Sequence, residues 1–453
     1  MASPHDGYIE IKFNKDKSQA LASIYPPYEK GVAITLDSCL HKLRIMGIGF
    51  GLCEGALADA VQQVSATRKP VVEFVIAQGV VPQNGEDAQI RYRLPRDLVS
   101  MPLPRNVDDP TMIDWFSLDP RKMVRANSEI ATLVPATLGS HGKTVTWPIQ
   151  VIHAQPGRNA GLFAGTGIRS SDDGLRLYAI YDGYLSQQGE QLTVLPIQCY
   201  ENPISQQEIN RPGGIVSLQE VVHSQLKANG IIAVKGISIF SRLRAKGDIF
   251  IQQAQNCQII ASGNVYVLGG LRECEVIAGQ KIIASKNAVL QGGHLSGTLG
   301  IEAESLGDAM QSPMEIYIGT DQYLQIRNIE IEEEITEAEA SIARIRQAIK
   351  PFQTISANAT MTEDRRAILT QLQKQQRSHQ QHVTTLHSER RQLQFALKQK
   401  IAGTLSVSEN LYPNVWITLG KGRGRIERPM KNVRLAGDSA STHQHVETLL
   451  AAA

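Results

Sequence analysis

Leu226-Lys-Ala-Asn-Gly230, Leu243-Arg-Ala-Lys-Gly247, Ile259-Ile-Ala-Ser-Gly263 and Val276-Ile-Ala-Gly-Gln280 repeat one pattern, with first residues 17, 16 and 17 apart. Four residues beyond each alanine stands another apolar residue, Ile232, Ile249, Val265 or Ile282, with a further one two positions on. The period is two within a strand and about 17 between copies, so each copy holds short strands that cannot bury a face alone and must stack. This predicts a parallel β-solenoid. Leu226, Ala228, Leu243, Ala245, Ile259, Ala261, Val276 and Ala278 are its expected core, with Gly230, Gly247 and Gly263 supplying corner conformations that a β-carbon disfavours.

Outward from this stretch the backbone chemistry changes twice. Sixteen of the 20 prolines lie in residues 1–212, none in 213–312, and residues 327–402 hold one proline and no glycine. Proline is excluded where each rung's N–H bonds the next rung. From Ile331 the apolar or small positions run Ile335, Ala338, Ile342, Ile345, Ile349 and Phe352, alternating steps of four and three as in a coiled-coil seam. A second, wetter seam reads Leu369, Leu372, Gln376, His379, Val383, Leu386, Arg390, Leu393 and Leu397, with Thr362 as its N-cap. Pro351 and the stretch to Met361 are expected to form a kink and tip, folding residues 327–402 into an antiparallel hairpin. The acidic start of the first helix (Glu330, Glu332, Glu333, Glu334, Glu337) then meets the basic end of the second (Arg390, Arg391, Lys398, Lys400). Residues Thr404–Val407 and Val415-Trp-Ile-Thr-Leu-Gly420 return to strand alternation and are expected to rejoin the solenoid.

Length and composition bound the rest. At 453 residues the chain has room for about three domains. Its 46 basic and 44 acidic residues give a net charge of +2, so charge balance alone names no partner. Aromatics make up only 5%, as a core of stacked aliphatic rungs requires. No apolar run resembles an export signal or reaches the roughly 20 residues of a membrane span, and a cytoplasmic address is expected. The five cysteines, Cys39, Cys53, Cys199, Cys257 and Cys274, form no CxxC and read as reduced structural thiols.

The order of motifs along the chain resembles the flagellar assembly protein A family. The likeness covers about residues 20–437 and rests on Ala22-Ser-Ile-Tyr-Pro-Pro27, Ile34-Thr-Leu-Asp37, Gly47-Ile-Gly-Phe-Gly51 and Gln78-Gly-Val-Val-Pro-Gln-Asn-Gly-Glu-Asp-Ala88. It continues through Gly139-Ser-His-Gly-Lys-Thr-Val145, Gly165-Thr-Gly-Ile168, Tyr181-Asp-Gly-Tyr-Leu185, the Ala-x-Gly rungs and Leu411-Tyr-Pro-Asn-Val-Trp-Ile-Thr-Leu-Gly420. The resemblance implies an N-terminal α+β region, a right-handed parallel β-helix and a protruding coiled-coil hairpin in a cytosolic protein without established catalysis. It also implies a role in polar flagellar assembly and binding of the unphosphorylated glucose-specific IIA component of the sugar phosphotransferase system. The expected domains are an α+β region at 1–200, with an optional break near 100–120, a solenoid at 201–326, the hairpin at 327–402, closing strands at 403–437 and a disordered tail at 438–453.

Chemical motifs are sparse. Gly47-Ile-Gly-Phe-Gly51 follows a predicted helix over Leu36–Met46 and lacks the flanking strand, helix start and acidic residue of a dinucleotide loop. Gly165-Thr-Gly and Gly420-Lys-Gly-Arg-Gly lack the Lys-Ser/Thr ending of a phosphate loop. His379, His382 and His387 have no carboxylate or thiolate at metal-ligand spacing, and His443-Gln-His445 sits in the tail. No nucleophile elbow or zinc-protease motif is present, so no enzyme, metal or cofactor is expected. A site around Asp37, His41 and Asp87 is the weakest alternative. The sharpest local charge is Lys421, Arg423, Arg425, Arg428, Lys431 and Arg434 against Glu427 alone, a candidate surface for nucleic acid or an envelope. The reading that follows is a noncatalytic scaffold with protein partners, its oligomeric state open.

Overall fold

A computed structural model describes residues 6–107, 109–161, 163–358, 363–399, 401–420 and 422–438. The expected N-cap Thr362, the tip at Met361, Lys400, Lys421, His443, His445 and the tail beyond 438 lie outside them. The chain forms two compact units. The first comprises Met1–Ser100, Asn127–Ile180 and Gln187–Thr193. Its antiparallel strands Tyr8–Phe13, Gln19–Tyr25 and Val71–Gln78 are packed by helices Leu36–Ile45 and Glu54–Thr67 around Ala20, Ala22, Ile24, Cys39, Leu43, Leu57 and Ile76. Thr35 starts the first helix through a capping box with Ser38. The Gly47–Gly51 run ends it as a turn. Gly51 has φ +70 and an added Cβ would lie 1.9 Å from the Gln78 carbonyl oxygen. A second sheet orders Ile168–Ser170, Arg176–Ala179, Glu129–Val134 and Gln89–Tyr92.

The second unit is the solenoid, its hairpin, Met101–Ala126 and Tyr181–Ser186. The sequence placed 101–126 in the N-terminal region; it groups instead with the coils because its aromatic residues cover them. Trp115 lies 6.3 Å from Phe250, whose ring stacks on Tyr266 of the next coil at 4.7 Å. Lys122 is fully buried there, donating to the Met101 carbonyl at 2.6 Å. The first coil begins at Ile197, a few residues before the position at which the sequence placed it.

Three parallel faces make the solenoid, and each holds one register. On one face Ile209, Leu226, Leu243, Ile259, Val276, Leu295, Ile316 and Ile417 stand directly above one another. On another the column is Ile215, Ile232, Ile249, Val265, Ile282, Ile301 and Leu405, all at 0% exposure. On the remaining face Ala254, Leu271, Leu290, Leu306 and Leu411 are aligned. The alanines Ala228, Ala245, Ala261 and Ala278 form a fourth buried column at the end of the first face's strands.

The glycines act differently from expectation. Gly230, Gly247 and Gly263 are not left-handed. Gly230 and Gly247 serve close stacking, since an added Cβ would stand 2.9 Å from Gly214 N at Gly230 and 3.0 Å from Gly230 O at Gly247, while at Gly263 it would displace the Asp248 carboxylate. The left-handed corner lies elsewhere, at Gln206, His223, Phe240, Asn256 and Glu273, with φ between 47 and 53. From His223 onward the residue after it is a serine or a cysteine. Ser224 and Ser241 hydroxyls donate to the carbonyls of Val222 and Ile239 at 2.8 Å, and the Cys257 thiol donates to Gln255 O at 3.2 Å. Each also accepts from the coil before: Gln207 N–H bonds Ser224 Oγ at 3.1 Å, Ser224 N–H bonds Ser241 Oγ at 3.1 Å and Ser241 N–H bonds Cys257 Sγ at 3.5 Å. This internal ladder satisfies backbone groups that the corner removes from the sheet. All five cysteines are free, and burial pushes the Cys39 and Cys199 thiols up to about 11.

After Ile318 the chain leaves the solenoid, forms helices Gln322–Asn358 and Glu363–Ala396, and re-enters at Ala402–Leu411 and Val415–Leu419. These pair in parallel with the coil left at Gly300–Leu306 and Met314–Ile318. Pro351 does not end the first helix, which runs to Asn358. An interior proline removes one backbone hydrogen bond and crowds the carbonyl four residues earlier, a cost this helix bears in its last three turns. Ile331, Ile335 and Leu386 are buried together with Leu393 against them. Ile342 is also buried, while Ile345, Leu372, Val383 and Leu397 are half-buried. The last coil is closed by antiparallel strands: Gly422–Arg425 pairs with Val415–Leu419 and Met430–Asp438 with Ala402–Leu411. An exposed parallel edge would template pairing with another chain, and this cap covers it.

The stack makes a direct prediction. Leu243→Ala should cost about 2–5 kcal/mol of stability by denaturant unfolding, whereas Arg242→Ala, its outward neighbour, should stay within about 0.5 kcal/mol. Equal costs would contradict the inward register.

Candidate interaction surface

The first turns of the outgoing helix lie along the face that carries Lys227, Arg244, Ile260 and Ile277. Gln322 Oε1 is 3.0 Å from His294 Nε2, and eight residues later Glu330 pairs with Arg244. Eight residues of helix rise about 12 Å, and the three coils from His294 to Arg244 span about 14 Å, so the helix runs nearly along the stacking axis. Ile260 and Ile277 alternate outward from the core yet are 7% and 2% exposed, and the helix packs on the strand that carries Ile277.

A charge network fixes this root. Arg327, 9% exposed, donates to Glu389 at 2.9 Å and Glu334 at 2.8 Å and lies 3.5 Å from Glu330. Thus one buried cation ties the outgoing helix to the returning one, and Arg244 ties the outgoing helix to the solenoid. Arg390 with Glu332 adds a further pair. Burial penalises the Glu334 carboxylate, but the hydrogen bond and charge of Arg327 outweigh it and hold its pKa below the usual range. Asp321 behaves oppositely. It caps the helix by accepting from Leu324 N–H at 2.9 Å, and burial pushes its pKa up. A cleft of about 200 Å³ opens beside the network, lined by Lys227, Arg244, Lys246, Tyr323, Arg327 and Glu330. The sequence foresaw acidic against basic blocks but missed Arg327; its signal was a lone cation one helical turn before the Ile331 seam.

The C-terminal basic segment divides in two. Arg423 and Arg425 flank the Trp416 ring at 4.8 and 5.9 Å, Arg423 also reaches Glu315 at 3.4 Å, and Arg425 donates to Asn414 Oδ1 at 2.9 Å. These two arginines serve the solenoid's own cap. Arg428, Lys431 and Arg434 are exposed. Asp37 sits in the first turn of its helix, His41 is exposed one turn on, and Asp87 accepts from Arg158 N–H at 2.6 Å; no hydrogen bond or ion pair joins the three among the described residues. His379 and His387 are half-buried and His382 exposed on the returning helix. Among the described residues no group of three or more His, Cys, Asp or Glu could hold a metal ion, and no helix is long and apolar enough to cross a membrane.

Comparison with known families gives two matches. The Flagellar Assembly Protein A N-terminal region matches residues 9–190, and the Flagellar Assembly Protein A beta solenoid domain matches residues 208–439. No curated protein and no solved structure matches the chain.

Two measurements probe the root. Arg244→Ala and Glu330→Ala should each speed hydrogen exchange at 322–334 while leaving the coils protected, with a coupling of about 0.5–3 kcal/mol in a double-mutant cycle; additive effects would show that the pair does not hold the helix. Asp321→Asn keeps the cap but removes a charge that burial disfavours. Because the folded pKa is raised, Asp321 stabilises the fold below its unfolded pKa and loses this as pH rises through the folded value. The variant's gain should therefore be absent near pH 3.5 and present at pH 7, read as a shift in melting temperature.

Proposed function

Since the chain belongs to the flagellar assembly protein A family, we propose that it is a noncatalytic scaffold that presents its hairpin to protein partners in flagellar assembly. The observation that carries this reading is how the hairpin is inserted. Gly403 faces Gly319 so closely that an added Cβ would lie 2.9 Å from Gly319 N. The helices therefore leave and return at one point, and the coils on either side stack in parallel across the insertion, with one register shift between Ala303 and Ser305. A solenoid of this kind does not need the hairpin for its own core, yet Arg244 and Arg327 hold its root in one direction. That is the arrangement of a presented arm.

The returning helix supplies the chemistry of presentation. From Thr362 to Ala402 the sequence carries a charge of +5, and Arg366, Lys374, Arg377, Arg391 and Lys398 are exposed. Such a surface favours an acidic partner through steering and rim contacts rather than through large affinity. The family resemblance suggests the unphosphorylated glucose-specific IIA component as one such partner, and a cytoplasmic address at the cell pole accords with that role.

Replacing residues 320–401 with a short Asn-Gly linker tests the proposal. The excised protein should keep a cooperative unfolding transition and lose at least one protein that copurifies with the full chain. An unchanged set of copurifying proteins, with the coils intact, would remove the arm from the function.

A further inference from the structure

The first unit carries an exposed apolar patch that the scaffold role of the hairpin does not use. It is assembled from two segments. The chain after helix Leu36–Ile45 pairs with the loop of the 142–152 hairpin through Trp147 N–H to Gly47 O at 2.6 Å, Gly49 N–H to Val145 O at 2.9 Å and the Ile48–Thr146 bridge. This brings Ile45, 66% exposed, and Met46, 41%, beside Trp147, 71%, and Ile149, 39%. Gly49 is required for the approach, since an added Cβ would stand 3.0 Å from the Trp147 Cβ.

Charge within the two segments that build the patch has one sign. Residues 38–53 and 139–153 contain no Asp or Glu, while Lys42, Arg44 and Lys143 are exposed within them. In a chain with nearly equal acids and bases, two adjoining segments free of acid form a local cationic field. His41, His141 and His153 are also exposed in the same segments.

We propose that this patch docks on an anionic lipid surface, with Trp147, Ile149, Ile45 and Met46 entering the headgroup layer and Lys42, Arg44 and Lys143 meeting lipid phosphates. Trp is the side chain best suited to a membrane interface, with an apolar body and one N–H donor. The apolar groups project from a helix end and a hairpin loop. A bilayer accepts such tips without a matching pocket, and cations around them add electrostatic attraction to anionic lipid. An acidic protein would satisfy the same charges but would need a complementary cavity for four side chains from two turns.

The test uses the full chain with vesicles of phosphatidylcholine alone and of phosphatidylcholine with 30% phosphatidylglycerol. Binding by cosedimentation is expected only with the anionic vesicles, falling at least tenfold in partition coefficient between about 50 and 500 mM salt. Trp147→Ala with Ile149→Ser, and separately Lys42→Gln, Arg44→Gln and Lys143→Gln together, should each lower it at least tenfold. All these positions are exposed, so unfolding can be checked by melting temperature, and Phe395→Ser on the returning helix, 69% exposed, should leave binding unchanged. Absence of cosedimentation, equal binding to both vesicles, or loss caused by Arg428→Gln, Lys431→Gln and Arg434→Gln instead of the patch variants would overturn the proposal. The first result would point to an acidic protein as the occupant. None of these outcomes bears on whether the hairpin presents partners.

Discussion

The hydrogen-bonded stacking of one coil on the next, in a single register, is the constraint from which the rest of the second unit follows. Parallel strands spaced about 4.8 Å apart place each side chain on the same residue position of the coil above. An inward position is therefore never a matter of one residue; it is a column. Ile215 through Leu405 must all be apolar because each is the floor of the next. The same demand thins the chain where coils approach most closely, which is why Gly230 and Gly247 sit in line. It also leaves backbone groups at the corners without a sheet partner, and the Ser224, Ser241, Cys257, Cys274 column answers that need with hydroxyls and thiols. In that setting the thiols are bonded and buried, and Cys274 is raised further by its contact with Cys257.

Columns are legible in a sequence because they recur at fixed distance. Leu226, Leu243, Ile259 and Val276 announced their column through spacing alone, and so did the return at Val415. What spacing does not carry is conformation. Glycine was the natural candidate for a left-handed corner on steric grounds, yet His223, Phe240, Asn256 and Glu273 occupy it. The coil above and the small polar residue that follows over-determine those corners, so tertiary context overrides the local preference. His223 and Phe240 even stack their rings at 5.2 Å, a column on the outside of the solenoid. Likewise Pro351 was expected to begin a kink and tip, and the helix runs on past it to Asn358.

Long-range pairings were the other blind spot. The acidic and basic blocks of the two helices predicted antiparallel contact, but the decisive cation, Arg327, belongs to neither block. Its partner on the solenoid side, the Arg244–Glu330 pair, joins residues 86 positions apart. Nothing periodic marks such a pair. The basic run near residue 425 carries contacts that charge density does not reveal, since Trp416 and Glu315 engage two of its arginines. The Trp147 patch was invisible for the same reason, since its two halves are almost a hundred residues apart in the chain.

An insertion whose ends nearly touch is a particular solution to a problem that stacked folds share. Lengthening a surface loop costs little in chain entropy, rising only with the logarithm of loop size, so long as the two ends remain where the fold wants them. Gly319 and Gly403 meet that condition. Freedom at the junction alone would leave the helices swinging, and a swinging arm loses affinity by having to be ordered at each encounter. Arg327, its own side chain shielded, removes that freedom by sharing its charge among three partly exposed carboxylates. A buried ion network of this kind contributes little net stability, because desolvation offsets much of the attraction, but it discriminates strongly against arrangements that leave a charge unpaired. The network therefore specifies direction: the coils set where the hairpin begins, and the ions set where it points.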